Sequence, residues 1–251
     1  MSDLAEQLRS LGLRHSADHR DYLVALATKR RLGVVEILER IAELENTDRS
    51  RRSLERRLLR SRIGRFKPVS DFDWSWPTRV DRAAIEAALK LAFIEQARNL
   101  VLVAPQGLGK TMLAKNIAHA AITGGHSVLV VTASQMLLDL AGQDSARALD
   151  RRLRHYTRPA LLVIDEIGYL SYDNRNADLL FQIVSRRYEH KSLVLTTNLP
   201  FAEWPSIFPN AACATALIDR VVHHADVIAI EGDSYRRRDA ETAKRSRKGK
   251  A

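Results

Sequence analysis

Cysteine occurs once in the 251 residues, as Cys213, so no disulfide can form within the chain. That scarcity suits a reducing compartment, and Cys213 is expected to serve as a small buried hydrophobe. No apolar stretch approaches the length needed to cross a bilayer. The opening Met-Ser-Asp-Leu-Ala-Glu-Gln lacks the basic start and apolar core of a secretory signal, so a soluble cytoplasmic protein without membrane attachment is expected. The eight histidines are scattered, and His223–His224, with no cysteine nearby, form no zinc pattern. That pair is expected to pack or to cap a helix end. No Gly-x-Ser-x-Gly elbow is present, which removes the usual serine-hydrolase signature. Aromatic residues make up only 6% of the chain, yet Phe72, Trp74 and Trp76 fall within five positions. Exposed linkers seldom carry such a cluster, so it is expected to pack on the domain that follows.

The most informative segment is an apolar run, Leu100–Val101–Leu102–Val103, entering Ala104–Pro105–Gln106–Gly107–Leu108–Gly109–Lys110–Thr111. A strand, a Gly-rich turn and a helix starting near Lys110 form a polyphosphate cradle. Glycines let backbone N–H groups approach phosphate oxygens, the helix N-terminus faces the negative charge, Lys110 adds a point charge, and Thr111 offers a hydroxyl to Mg²⁺. The pattern G-x-x-x-x-G-K-[ST] is met except at its first position, where Ala104 replaces Gly; a negative φ there would tolerate the change. A second apolar strand, 160–165, ends in Asp165 and Glu166. One carboxylate can hold Mg²⁺ through water, and its neighbour can polarise an attacking water.

The net charge of +10 is unevenly placed. Residues 49–67 hold nine Arg/Lys against one acid and residues 235–251 eight against two, leaving a slightly acidic body. This points to a polyanion held at particular places. Up to about residue 67 the chain reads as helices, with Val34, Ile37, Leu38, Ile41 and Leu44 at helical spacing. A break is expected at 46–48 with Asp48 as a cap. Beyond it Arg49, Arg52, Arg56 and Arg60 line one stripe of a helix and are the first candidates for DNA contact. A helix is expected at 81–97. Strands are then expected at 100–104, 127–132, 160–165, 192–197 and 227–231, with helices at 110–122, 135–140, 146–155, 177–188 and near 216–222. Apolar strands alternating with helices mean an α/β fold with a five-stranded parallel sheet covered on both faces, and ligands at the strands' carboxyl ends. Arg147, Arg151 and Arg154, on the 146–155 helix, are further candidates for DNA contact. The expected divisions are a basic helical domain at 1–67, an aromatic linker at 68–80, a nucleotide-binding domain at 81–235 and a basic tail at 236–251.

The loop at 104–111, the strand with Ile167-Gly-Tyr-Leu after it, Thr196-Thr-Asn198, Leu217-Ile-Asp-Arg-Val-Val-His-His224 and Glu231-Gly-Asp-Ser-Tyr-Arg236 occur in order. Together they resemble the IstB-like transposition helper ATPases of bacterial insertion sequences, relatives of DnaC-type helicase loaders in the AAA+ superfamily. The resemblance implies a P-loop AAA+ core that binds ATP with Mg²⁺ and hydrolyses it slowly. Thr111 and Asp165 would serve the metal, Glu166 and Asn198 would place the attacking water, and Arg220 would reach the γ-phosphate of a neighbouring subunit. It also implies a homo-oligomer on duplex DNA that recruits or activates the transposase of the same element. About twenty mostly charged residues after Glu231 leave no room for the full helical lid common in AAA+ proteins; Arg236 or Arg237 could replace a lid arginine. A DnaC-like helicase loader and a nucleotide-locked architectural DNA binder share these motifs, whereas the arginines at 49–60 and the basic tail favour direct duplex binding.

Overall fold

In the computed structural model, residues 3–169, 171–235, 237 and 238 are described. Arg236 and the tail from 239 onward lie outside them. The chain divides into two compact units between Arg56 and Arg57, inside one helix and upstream of the boundary expected at 67.

The first unit contains α1 (Leu4–Ser10), α2 (Arg14–Asp18), α3 (Arg20–Arg30) and most of α4 (Val34–Ser61). Helix α4 runs unbroken through 46–48, where a break was expected. Asp48 caps nothing there; it is buried and ion-paired with Arg51 and Arg52, each at 2.7 Å. Those arginines neutralise a carboxylate one turn away on the same helix, so the helix has no need to stop. Glu45, 2% exposed, accepts the backbone N–H of Ser16 at 2.8 Å. Val34 and Leu38 of the apolar stripe remain exposed.

In the second unit, the end of α4 leads through the aromatic segment to β1 (Arg79–Val80) and then α5 (Arg82–Leu89) and α6 (Ala92–Glu95). The single helix expected at 81–97 is thus broken, at Leu91, whose φ of 68° no helix accommodates. Next come β2 (Asn99–Val103), α7 (Lys110–Thr123), β3 (Val128–Thr132), α8 (Ala133–Ala141), α9 (Ala146–Thr157), β4 (Leu161–Ile167), α10 (Asn174–Arg187), β5 (Ser192–Thr197), α11 (Ala211–Val222) and β6 (Ala225–Glu231). The sheet order is β1-β6-β2-β5-β4-β3. The five expected strands are parallel; β1, from the linker, adds a sixth, antiparallel to β6 with Arg79 opposite Glu231.

Leu100–Leu102, Leu161–Ile164 and Leu193–Leu195 are all at most 1% exposed, as a sheet covered on both faces requires. Five of the described helices start on side-chain caps: Asp81, Thr132, Ser145, Asp173 and Asn210 each accept a backbone N–H from the first turn. Arg187, fully buried, donates to the carbonyls of Tyr156, Thr157, Pro159, Ala160 and Ser192, tying the entry to β4 to the start of β5. Cys213 is half-buried against the core, and burial pushes its thiol pKa up. Among the described residues no helix is long and apolar enough to cross a membrane.

Candidate functional site

The carboxyl ends of β2, β4 and β5 open into a cleft of about 710 Å³. Its lining includes Gln106–Thr111 from the turn after β2, Glu166 from β4, and Thr196 and Asn198 from the end of β5. Parallel strands deliver these segments to one edge because every βα turn emerges on the same side.

The loop has the geometry a phosphate needs. Gly107 and Gly109 take φ of 84° and 85°, a region that side chains resist. A Cβ on Gly107 would lie 2.1 Å from the Ser234 hydroxyl, and one on Gly109 would lie 2.7 Å from the Phe72 ring. Helix α7 then begins at Lys110, aiming its first N–H groups into the loop. The Lys110 ammonium donates to the carbonyls of Ala104 and Pro105, at 2.5 and 2.8 Å. Ala104 is absent from the residues with positive φ, and its N–H donates to Thr197 O at 3.1 Å. It therefore continues the β2–β5 pairing, where alanine carries no conformational cost.

The Thr111 hydroxyl donates to Asp165 at 3.1 Å, and Asp165 also accepts from Thr196. Asp165 is 7% exposed, whereas its neighbour Glu166 is exposed to the cleft. The two carboxylates part company at an irregularity in β4 between Ile164 and Ile167, where Glu166 adopts a φ of 64°. A strained bulge of this kind re-aims a side chain that strand alternation would otherwise send elsewhere. A hydroxyl and a carboxylate in contact, beside a helix N-terminus, fit the outer sphere of a hydrated Mg²⁺.

Arg220 lies apart from this lining. Helix α11 returns from the carboxyl ends of the strands toward their amino ends, and Arg220 occupies its last turn. Its guanidinium stacks over Phe181 at 4.2 Å instead of pairing with the adjacent Asp219. The DNA-contact candidates also divide. Arg56 and Arg60 are exposed; Arg49 is exposed and reaches Gly12 O at 3.5 Å; Arg52 is half-buried on Asp48. On α9, Arg147 and Arg151 are exposed, and Arg154 is paired with Asp150 at 2.8 Å.

Sequence reasoning missed the aromatic side of the cleft, to which Phe72, Trp76 and Tyr235 belong. The Trp76 indole donates to Asp233 O at 2.7 Å, and Tyr235 donates its backbone N–H to Gly107 O at 3.1 Å. Gly232, at φ 141°, lets this strand end pass close to Pro77 and Thr78. The Gly-Asp-Ser-Tyr string thus locks the linker and the phosphate loop together. The signals were the crowding of aromatics between Pro68 and Pro77 and the small residues after Glu231.

Comparison with known proteins agrees with this geometry. The insertion sequence IS21 putative ATP-binding protein of Pseudomonas aeruginosa is 33% identical over 243 residues, covering 97% of this chain and 92% of the relative. The IS232 putative ATP-binding protein of Bacillus thuringiensis subsp. berliner is 35% identical over 236 residues, with 94% of each chain covered. Among solved structures, DnaI aligns with a TM-score of 0.55 at 20% identity, over 68% of this chain and 91% of that one. That likeness is one of fold. A family model described as IstB-like ATP binding protein matches residues 6–243, and the chain belongs to that family.

Proposed function

We propose that the chain is an ATP-hydrolysing assembly factor of an insertion-sequence transposition system. It oligomerises on duplex DNA in the cytoplasm and recruits or activates the transposase encoded by the same element. The observation that carries this reading is the division of the site: Lys110, Thr111, Glu166 and Asn198 line one cleft, with Asp165 hydrogen-bonded to Thr111, while Arg220 sits at the far end of α11. ATP would lie with its phosphates on the loop at 104–111. Mg²⁺, held through Thr111 and Asp165, would neutralise phosphate charge. Glu166 and Asn198 would orient the attacking water. Arg220 from an adjoining copy would neutralise the charge that builds in the transition state, so turnover depends on assembly.

Among the candidate arginines, Arg49, Arg56, Arg60, Arg147 and Arg151 are exposed for phosphate contact, with Arg52 and Arg154 held back by their acidic partners. Family membership favours the insertion-sequence reading over that of a helicase loader, since the relatives are described as insertion-sequence ATP-binding proteins. The test is assembly on a duplex followed by light scattering with ATP·Mg²⁺, then capture of the transposase of the same element. ATP-dependent assembly that retains the transposase is expected. Assembly on single-stranded DNA alone, with capture of a replicative helicase instead, would favour the loader.

A further inference from the structure

The opposite edge of the sheet, at the amino ends of β5 and β6, carries a cluster that the ATP cleft does not use. Glu189 leaves the end of α10, and His223 and His224 form the tight turn from α11 to β6. Each offers one ligand atom, and these atoms all lie within 4.8 Å of one another. The His224 Nε2 is 3.4 Å from the Glu189 carboxylate, and the two imidazole rings are 4.0 Å apart. The Tyr188 hydroxyl lies 2.6 Å from His223 Nδ1. With that nitrogen donating to Tyr188, Nε2 keeps its lone pair, the arrangement by which an outer partner orients a ligating histidine.

The two turns are held together from beneath. Buried Asn99 accepts from Leu193 N at 3.0 Å and donates its side-chain amide to Val221 O at 3.1 Å; its own N–H donates to His224 O at 2.7 Å. Glu189 itself takes a φ of 59°, a left-handed conformation fixed by the turn in which His190 N and Lys191 N both donate to Arg187 O. Backbone elements far apart in sequence are thus fastened so that one carboxylate and two imidazoles meet at the surface.

We propose that Glu189, His223 and His224 form a site for a divalent transition-metal ion of the Zn²⁺ class, with a further coordination position left open to solvent or to another chain. Two nitrogens and one carboxylate oxygen suit Zn²⁺ and discriminate against Mg²⁺ and Ca²⁺, which prefer all-oxygen shells. Closing on an ion at about 2.0–2.1 Å draws the ligand atoms to roughly 3.4 Å apart, a movement that exposed side chains can make by rotation. Arg220 lies in the last turn of α11, three and four residues before His223 and His224 in the chain.

The experiment is a Zn²⁺ titration of the full chain, free of any histidine tag, by calorimetry in excess Mg²⁺. One Zn²⁺ per chain is expected for the wild type. His223→Ala, His224→Ala and Glu189→Gln should each weaken binding by at least about tenfold, and Tyr188→Phe by a smaller factor. Binding of an ATP analogue and the circular dichroism spectrum should stay unchanged in all four, because the cleft is at the other edge of the sheet. Absence of Zn²⁺ uptake by the wild type, or uptake by His223→Ala/His224→Ala equal to that of the wild type, would overturn the assignment. So would displacement of Zn²⁺ by an equal concentration of Ca²⁺.

Discussion

The backbone N–H of Glu166 donates to the Thr196 hydroxyl at 2.9 Å, and the same hydroxyl donates to Asp165. One fully buried side chain on β5 therefore holds both carboxylate positions of β4. It also stabilises the left-handed backbone at Glu166, a conformation that costs on the order of 1–3 kcal/mol for a residue with a side chain.

Thr196→Val keeps the shape and removes the hydroxyl. ATP binding should persist while turnover falls roughly 10- to 100-fold, the effect of misplacing a water-orienting group. Thr196→Ser should restore most of the rate. Equal turnover in the wild type and Thr196→Val, measured by phosphate release, would show that the bulge holds without this hydroxyl.

Ala104→Gly should change nucleotide affinity by on the order of 1 kcal/mol or less, because Ala104 sits in ordinary strand backbone. The check is titration with a fluorescent ATP analogue. A several-hundred-fold change would mean that the first position of the loop is strained.

Arg187 is the heaviest stability prediction. Burial pushes its guanidinium pKa down to about 9, so it stays protonated at neutral pH and serves five carbonyls. Arg187→Met strands those acceptors and should cost roughly 3 kcal/mol or more, read as a fall in Tm. Because the folded pKa is lowered from 12.5, the charged side chain's burial penalty is constant below about pH 9 and is relieved only as pH rises further. The wild-type to mutant difference should therefore be flat between pH 6 and 8 as far as Arg187 is concerned. A pH-dependent difference in that window would implicate another group.

On DNA, arginines of one helix should behave differently. Removing Arg56 or Arg60 should lower the log–log salt slope of duplex binding by about 0.9 each, the value for one phosphate contact. Arg52→Gln should change the slope less and the stability of the first unit more, because Arg52 is committed to Asp48. Equal slopes for Arg52→Gln and Arg56→Gln would show that the Asp48 pair opens on DNA.

The nucleotide cleft was legible because its parts are local: the loop at 104–111 and the Asp165–Glu166 pair each declare their chemistry within a few residues. The parallel strands were legible from their apolar runs, and 192–197 matched to the residue. Boundaries failed where a polar cap decides the start, as at Asp173 and Asn210, about four and six residues before the apolar period becomes visible. Asp48 failed in the opposite sense, since Asn46-Thr47-Asp48 reads as a break with a cap until burial makes Asp48 an ion-pair partner of Arg51 and Arg52. The aromatic wall of the cleft joins residues 72–77 to 232–235, and the Glu189–His223–His224 cluster joins two turns. Each segment shows only its own part, and the pairing of segments is set by the fold.

The central claim, that hydrolysis needs an arginine from another copy, is tested most directly by mixing two inactive variants. Arg220→Ala should bind ATP without hydrolysing it, and Lys110→Ala should lack productive ATP binding while retaining its arginine. Phosphate release in the mixture on duplex DNA should recover a measurable part of the wild-type rate, through interfaces that pair an intact loop with an intact arginine. No recovery at any ratio, with both variants folded and co-assembling, would contradict the shared site.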